Sequence, residues 1–139
     1  MLTTGLALGA DESFSRSRIM HLLRQTLKWI LNHVSWLIMS PLIAVCFLEK
    51  LRGAGGNRMF AMCGQSVALL PGFPGMCLRR AFYRGTIDYC SWDCVIGFGA
   101  IFTQRRTVVD DHAYVGSYAL FGDVHLKQGC LVGSRASVV

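Results

Sequence analysis

At 139 residues, the chain has room for one ordinary domain or for a small domain with an anchor, and it excludes two large enzymatic domains. Hydrophobic residues make up 53% and charged residues only 16%, which is too apolar for a disordered chain and richer in apolar residues than an average soluble domain. The net charge of +6 is uneven: residues 1–84 hold ten of the fourteen Lys and Arg but only Asp11, Glu12 and Glu49 of the eight acids, and the remaining residues sum to −1.

A basic, apolar N-terminal half suits a surface of anionic lipid headgroups. Nucleic acid is the weaker alternative and is not expected as a partner, because neither an RNA-binding aromatic signature nor zinc-finger spacing is present. Cys46, Cys63, Cys77, Cys90, Cys94 and Cys130 occur without a secretory signal pattern, which favours a reducing compartment. Cys90 and Cys94 form a lone pair, whereas a structural zinc needs four ligands, so no metal is expected.

In chain order, residues 1–28 read as a basic leader, loose over 1–15 and carrying Arg16, Arg18, Arg24 and Lys28. Trp29 to Leu48 is 20 residues without Asp, Glu, Lys or Arg, about the length that crosses a bilayer. Asn32, His33, Ser35, Ser40 and Pro41 dilute that signal, and basic residues flank both ends, so orientation stays open. A span, an interfacial helix and a helix docked on the following domain all remain as readings of residues 29–52.

Gly53, Gly55 and Gly56 form a break suited to a domain boundary. Residues 53–94 read as a helical, Pro/Gly-interrupted region that is either membrane-proximal or a cap. Pro71 and Pro74 forbid one continuous helix there, and Leu78 to Arg84 carries arginines and aromatics that suit lipid phosphates or, alternatively, the open end of a repeat domain.

From Ile96 the apolar residues recur near every sixth position: Ile96, Phe102, Val109, Val115, Phe121, Leu126, Val132 and Val138. The steps are six, seven, six, six, five, six and six, so the long and short steps cancel. Glycine or aspartate follows several of them, and small residues sit four places on at Ala100, Ala113, Ala119, Cys130 and Ala136. Such a period predicts a chain that turns a corner every six residues, with the aliphatic side chain filling a tube and glycine easing the corner. An antiparallel sandwich would instead alternate with period two.

Ile96-Gly97-Phe98-Gly99, Val115-Gly116-Ser117-Tyr118 and Val132-Gly133-Ser134-Arg135 resemble the repeats of bacterial hexapeptide-repeat acyltransferases of the left-handed β-helix superfamily. Leu70 to Gly75 and Leu78 to Tyr83 are similar to a membrane-proximal region in some of those enzymes, so the likeness covers roughly 59–139. It implies a mainly β fold: a left-handed parallel β-helix over 95–139 behind an apolar, α-helical, membrane-associated N-terminal region. It further implies a homotrimer that uses acetyl-CoA or another acyl-CoA as co-substrate, with no tightly bound cofactor, and acylates a hydroxyl or amine of a saccharide or other small acceptor. Membrane contact would run through residues 29–84, at the cytoplasmic face of the bacterial inner membrane or in the cytoplasm.

A histidine is the general base that chemistry requires. His21 and His33 lie in or beside the apolar N-terminal segment, which leaves His112 and His125 as catalytic candidates. His112 falls three places after Val109 and should face outward. His125 sits at the five-residue step: counted from Phe121 it takes the small inward place, and counted from Leu120 it faces out, the reading favoured because an unpartnered imidazole inside an apolar tube is costly, with Asp123 as a candidate orienting carboxylate. Some relatives place a histidine near the Ile101-Phe102-Thr103 stretch, where this chain reads Gln104-Arg105-Arg106. Arg105 and Arg106 are candidates for the phosphates of CoA. The series stops at Val138-Val139 in mid-pattern, which reads as an incomplete set of coils. The rival functional reading is a catalytically incomplete, membrane-associated scaffold; a zinc hydrase would need more histidines than the repeats hold.

Overall fold

The structure, a computed structural model, describes residues 4–52 and 57–138, with side chains for Arg16 and from Arg18 onward. The glycine break at 53–56 and Val139 lie outside the described residues. The chain divides into two compact units, Met1–His33 and Val34–Val139.

Helix α1 runs over Thr4–Leu51, so the leader expected to be loose is helical from Thr4. Lack of periodicity speaks against a buried face, not against a helix; no proline occurs before Pro41, and Leu, Ala, Met, Arg and Gln are all good helix formers. In the first unit Ile19, Leu22, Leu23, Leu27, Trp29 and Ile30 are exposed. The His33 ring lies against that of Trp29, 4.0 Å between centroids and tilted by 36°, with Nδ1 2.8 Å from the Trp29 carbonyl. Arg18–Leu51 is long and apolar enough to cross a membrane by length and composition.

In the second unit, the Val34–Leu51 part of α1 joins the core along one stripe: Met39 and Cys46 are buried, with Leu42 and Ile43 packed beside them. That i, i+3, i+4, i+7 spacing is one helix face. The other faces are also apolar yet exposed, including Leu37 at 71%, Val45, Phe47 and Leu48. Helix α2 (Arg58–Ala68) buries Phe60, Gly64, Val67 and Ala68. Helix α3 (Gly72–Thr86) follows after a break at Leu69–Pro71, and Pro74 sits in its first turn, where a missing N–H costs nothing.

Among the described residues nine two-residue strands follow: β1 Tyr89–Cys90, β2 Val95–Ile96, β3 Ile101–Phe102, β4 Val108–Val109, β5 Tyr114–Val115, β6 Leu120–Phe121, β7 His125–Leu126, β8 Leu131–Val132 and β9 Ser137–Val138. They form three parallel sheets, β1-β4-β7, β2-β5-β8 and β3-β6-β9, which the chain visits in rotation three times. This arrangement is compatible with a three-sided β-helix. In β1 to β7 the second residue of each strand is buried, and Ile96, Phe102, Val109, Val115 and Phe121 are fully so. Cys90 holds the same position in β1, one strand before the aliphatic series begins. By residue count helix outweighs strand, with helices of 48, 11 and 15 residues, because each pass through a sheet fixes only two residues as strand.

The two irregular steps fall at one corner. Val108 pairs with Tyr89 one turn earlier and with His125 one turn later, so the extra residue lies in Thr103–Thr107 and the missing one in Gly122–Val124. Thr107 is buried at this corner, its Oγ1 3.0 Å from the carbonyls of both Gln104 and Gly122.

Helix α3 and the end of α2 stand where a preceding turn would be. On the second turn, the carbonyls of Val109, Ala113 and Val115 accept N–H groups of Ser91, Val95 and Gly97 from the first turn. The register partners of the outer two are Cys90 and Ile96, and Cys94 lies the same distance ahead of Ala113. On the first turn these carbonyls accept from α3 instead: Arg84 to Cys90 at 2.6 Å, Arg80 to Cys94 at 3.2 Å and Arg79 to Ile96 at 3.1 Å. The Gly99 N–H donates to Ala68 at 2.9 Å, and Tyr83 Oη lies 3.4 Å from the Ala100 carbonyl. Unpaired strand edges are costly when buried, and guanidinium groups supply charge-assisted donors in the place of strand amides. Arg79 and Arg80 are 2% and 5% exposed, so they serve this cap and do not face lipid phosphates.

Candidate functional site

His125 is the outward residue of β7, since its neighbour Leu126 takes the inward place. The register seats it on Val108, and Asp110, two residues on and just past β4, reaches it from the turn below. His125 Nε2 and Asp110 Oδ2 are 2.9 Å apart, with the two side chains 54% and 33% exposed. The carboxylate that contacts His125 is Asp110, whereas Asp123 is exposed on the corner loop. The five-residue step produces the pairing: the third turn is shortened just before β7, which sets His125 opposite Val108.

A carboxylate accepting from Nε2–H leaves Nδ1 with its lone pair free, the tautomer of a general base. Beside the pair, Cys130 is partly buried, and its thiol is raised above the ordinary range, by burial first and then by the charge of Asp110. Asp111 accepts a hydrogen bond from Ser91 Oγ, and its carbonyl accepts the Gly129 N–H at 3.0 Å. His112, the other candidate, is exposed on a corner in the left-handed region at φ 58°.

The two arginines proposed for phosphate differ in their surroundings. Arg105 is engaged: its guanidinium lies 2.8 Å from Glu49 Oε2, donates to Asn57 Oδ1 at 3.3 Å and sits over the Phe60 ring. Glu49 in turn accepts the N–H groups of Met59 and Phe60 at 3.0 and 3.3 Å, so one carboxylate ties the end of α1 to the start of α2 and to the wide corner. Arg106 is exposed. Nothing in the local sequence pairs Glu49 with a residue 56 positions away.

Cys90 and Cys94 lie with Sγ atoms 3.5 Å apart in the core under α3. Their shared hydrogen bond, the largest influence on each, holds Cys90 well up and Cys94 down, with burial adding to the first and opposing the second. Among the described residues no group of three or more His, Cys, Asp or Glu is placed to hold a metal. No protein-family model, curated protein or solved structure matches the chain.

Proposed function

We propose that the chain is an acyltransferase of the hexapeptide-repeat, left-handed β-helix type, acting as a trimer on acetyl-CoA or another acyl-CoA. The observation that carries this reading is the His125–Asp110 pair on the outer face of the stacked parallel sheets. His125 Nδ1 takes the proton of an acceptor hydroxyl or amine, such as that of a saccharide, as the acceptor attacks the thioester carbonyl carbon. The tetrahedral intermediate collapses with cleavage of the C–S bond, and the thiolate of CoA takes up the proton that the imidazolium returns. Asp110 holds the ring and offsets the charge it gains, while a groove between neighbouring subunits supplies proximity. Arg106, exposed near the wide corner, is the residue left to meet a CoA phosphate.

The N-terminal part of this reading is a membrane-associated helix at the cytoplasmic face of the bacterial inner membrane. The apolar stretch of α1 supports it, as do the exposed apolar faces of Val34–Leu51 and the basic balance of residues 1–84. The six free thiols suit a reducing compartment.

A scaffold remains the second reading, because His125 and Asp110 are both open to solvent whereas a cavity of about 360 Å³ lies at the α1–α2 junction. Release of free CoA thiol from acetyl-CoA by the purified chain, with a saccharide or amine acceptor supplied, separates the two. The acyltransferase predicts release that falls by about 10²-fold or more in His125→Gln, the usual worth of a general base. No acetyl-CoA binding, or release indifferent to His125→Gln, would leave the scaffold.

A further inference from the structure

The cavity at the α1–α2 junction has its own chemistry. Val45, Leu48 and Arg52 recur at i, i+3 and i+7, which puts them along one line of the helix and just past its end; Arg58 and Met59 from the start of α2 form the facing wall. Val45, Leu48 and Met59 expose about half of their surfaces, and Arg52 and Arg58 are exposed. The acid in the lining, Glu49, is committed to Arg105 and to two N–H groups of α2. Neither Arg52 nor Arg58 has an ion pair among the described residues. The groove is thus apolar along its floor and doubly cationic at one end, with a volume of about 360 Å³ within the range of small-molecule sites.

Position along the chain fixes the kind of occupant. The uncharged run ends at Leu48, so Val45 and Leu48 stand at the last apolar turn and Arg52 and Arg58 where headgroup phosphates lie. From Val45 to Arg52 the rise is roughly 10 Å, enough for a phosphate, its glycerol and the first few methylenes of a chain. A free phosphate would leave the apolar floor bare, and a choline headgroup would bring a third positive charge beside the two arginines.

We propose that this groove binds one anionic phospholipid, its phosphate between Arg52 and Arg58 and an acyl chain over Val45, Leu48 and Met59. The proposal rests on the reading of α1 as membrane-associated and is independent of the acyl-transfer chemistry.

The test uses the whole chain in nonionic detergent, with bound lipid counted by native mass spectrometry after addition of phosphatidylglycerol or phosphatidylcholine. One phosphatidylglycerol should be retained, with a preference over phosphatidylcholine of tenfold or more. Arg52→Gln/Arg58→Gln, both on the surface, should abolish the preference, and Met59→Trp, which fills the groove from its facing wall, should lower retention of both lipids. Millimolar inorganic phosphate should not displace the lipid. Equal retention of the two lipids by the unaltered chain overturns the proposal, as does a preference that survives the double substitution, retention unchanged by Met59→Trp, or complete displacement by phosphate. Flotation with neutral vesicles checks the foundation separately. Unaltered chain and variants should all float through α1; a chain that does not float sinks the membrane reading itself, whereas floating variants with unchanged lipid preference sink the groove alone.

Discussion

Replacing Gly116 by alanine puts the stacking of the turns to a quantitative test. A Cβ there would lie 2.5 Å from the Ser134 nitrogen, 2.6 Å from the Gly133 carbonyl carbon and 2.8 Å from Ser134 Cα, all backbone of the next turn. Ordinary contact begins near 3.4 Å, so the second and third turns must part by about 0.9 Å at this corner. Such a gap breaks the Gly116 N–H bond to Val132, now 2.9 Å, and the Ser117 N–H bond to Ser134 Oγ, now 3.2 Å. Overpacking of this kind costs roughly 1–3 kcal/mol, and each lost hydrogen bond about 1 kcal/mol more. The stiffer unfolded chain returns about 0.4–1 kcal/mol, which leaves a net loss of about 2–4.5 kcal/mol. In a chain of this size, at about 3 °C per kcal/mol, that lowers the melting temperature by roughly 6–14 °C. Gly133→Ala, the same change one turn on, meets nothing within 4 Å, and should leave stability unchanged or raise it by about 0.4–1 kcal/mol. Thermal unfolding of both variants, followed by circular dichroism in detergent, measures the contrast. Equal effects at the two positions, or a harmless Gly116→Ala, would refute the stacking of Gly116 beneath Gly133 and Ser134.

Arg79→Met should destabilise the chain by about 3 kcal/mol or more in denaturant titration, because the Ile96 and Leu70 carbonyls lose a buried cationic donor; Arg79→Lys should rescue little, since one ammonium cannot reproduce the fork. Burial first of all pushes the Tyr83 hydroxyl above its ordinary value, with weaker opposing help from the Phe102 N–H and Arg79. The unfolded chain therefore loses this proton first, and the tyrosine's contribution to stability is present below about pH 10 and declines above it by up to about 1.4 kcal/mol per pH unit. Tyr83→Phe should flatten that alkaline decline, read as the denaturation midpoint between pH 9 and 11; a slope the same in both chains would contradict it. Glu49→Gln should speed hydrogen exchange at the Met59 and Phe60 amides roughly tenfold while leaving the amides of β5 untouched, since the carboxylate is the acceptor for both.

The inward series from Ile96 to Val138 was legible because a tube admits one large apolar side chain at each corner-to-corner pass, and the structure places each of these residues second in its strand. Cys90 escaped notice because it fills the same place with a thiol, which an aliphatic pattern does not register. The glycines were legible as positions but for a different reason than corner conformation. Gly97 and Gly116 are small because the next turn's backbone passes within 3 Å of where a Cβ would stand, whereas the left-handed corner conformations belong to Gly99 and Gly129 and, without glycine, to His112, Tyr118 and Arg135. Arg79, Arg80 and Arg84 read equally well as phosphate ligands and as cap donors, since a guanidinium serves either. Only the three-dimensional placement of the Cys90, Cys94 and Ile96 carbonyls separates the two. The count allowed His125 either direction, and the cost of an unpartnered imidazole in an apolar tube selected the outward one; its partner was not legible, because Asp110 comes within reach only through a register of turns that spacing alone leaves undetermined.

The His125–Asp110 unit is tested most directly by a double-substitution cycle on acetyl-CoA-dependent release of thiol by the whole chain. If Asp110 acts only by holding and charging His125, Asp110→Asn slows the reaction in the unaltered chain and has no further effect once His125→Gln is present. A loss from Asp110→Asn that persists undiminished beside His125→Gln would show two independent residues and contradict the proposed base.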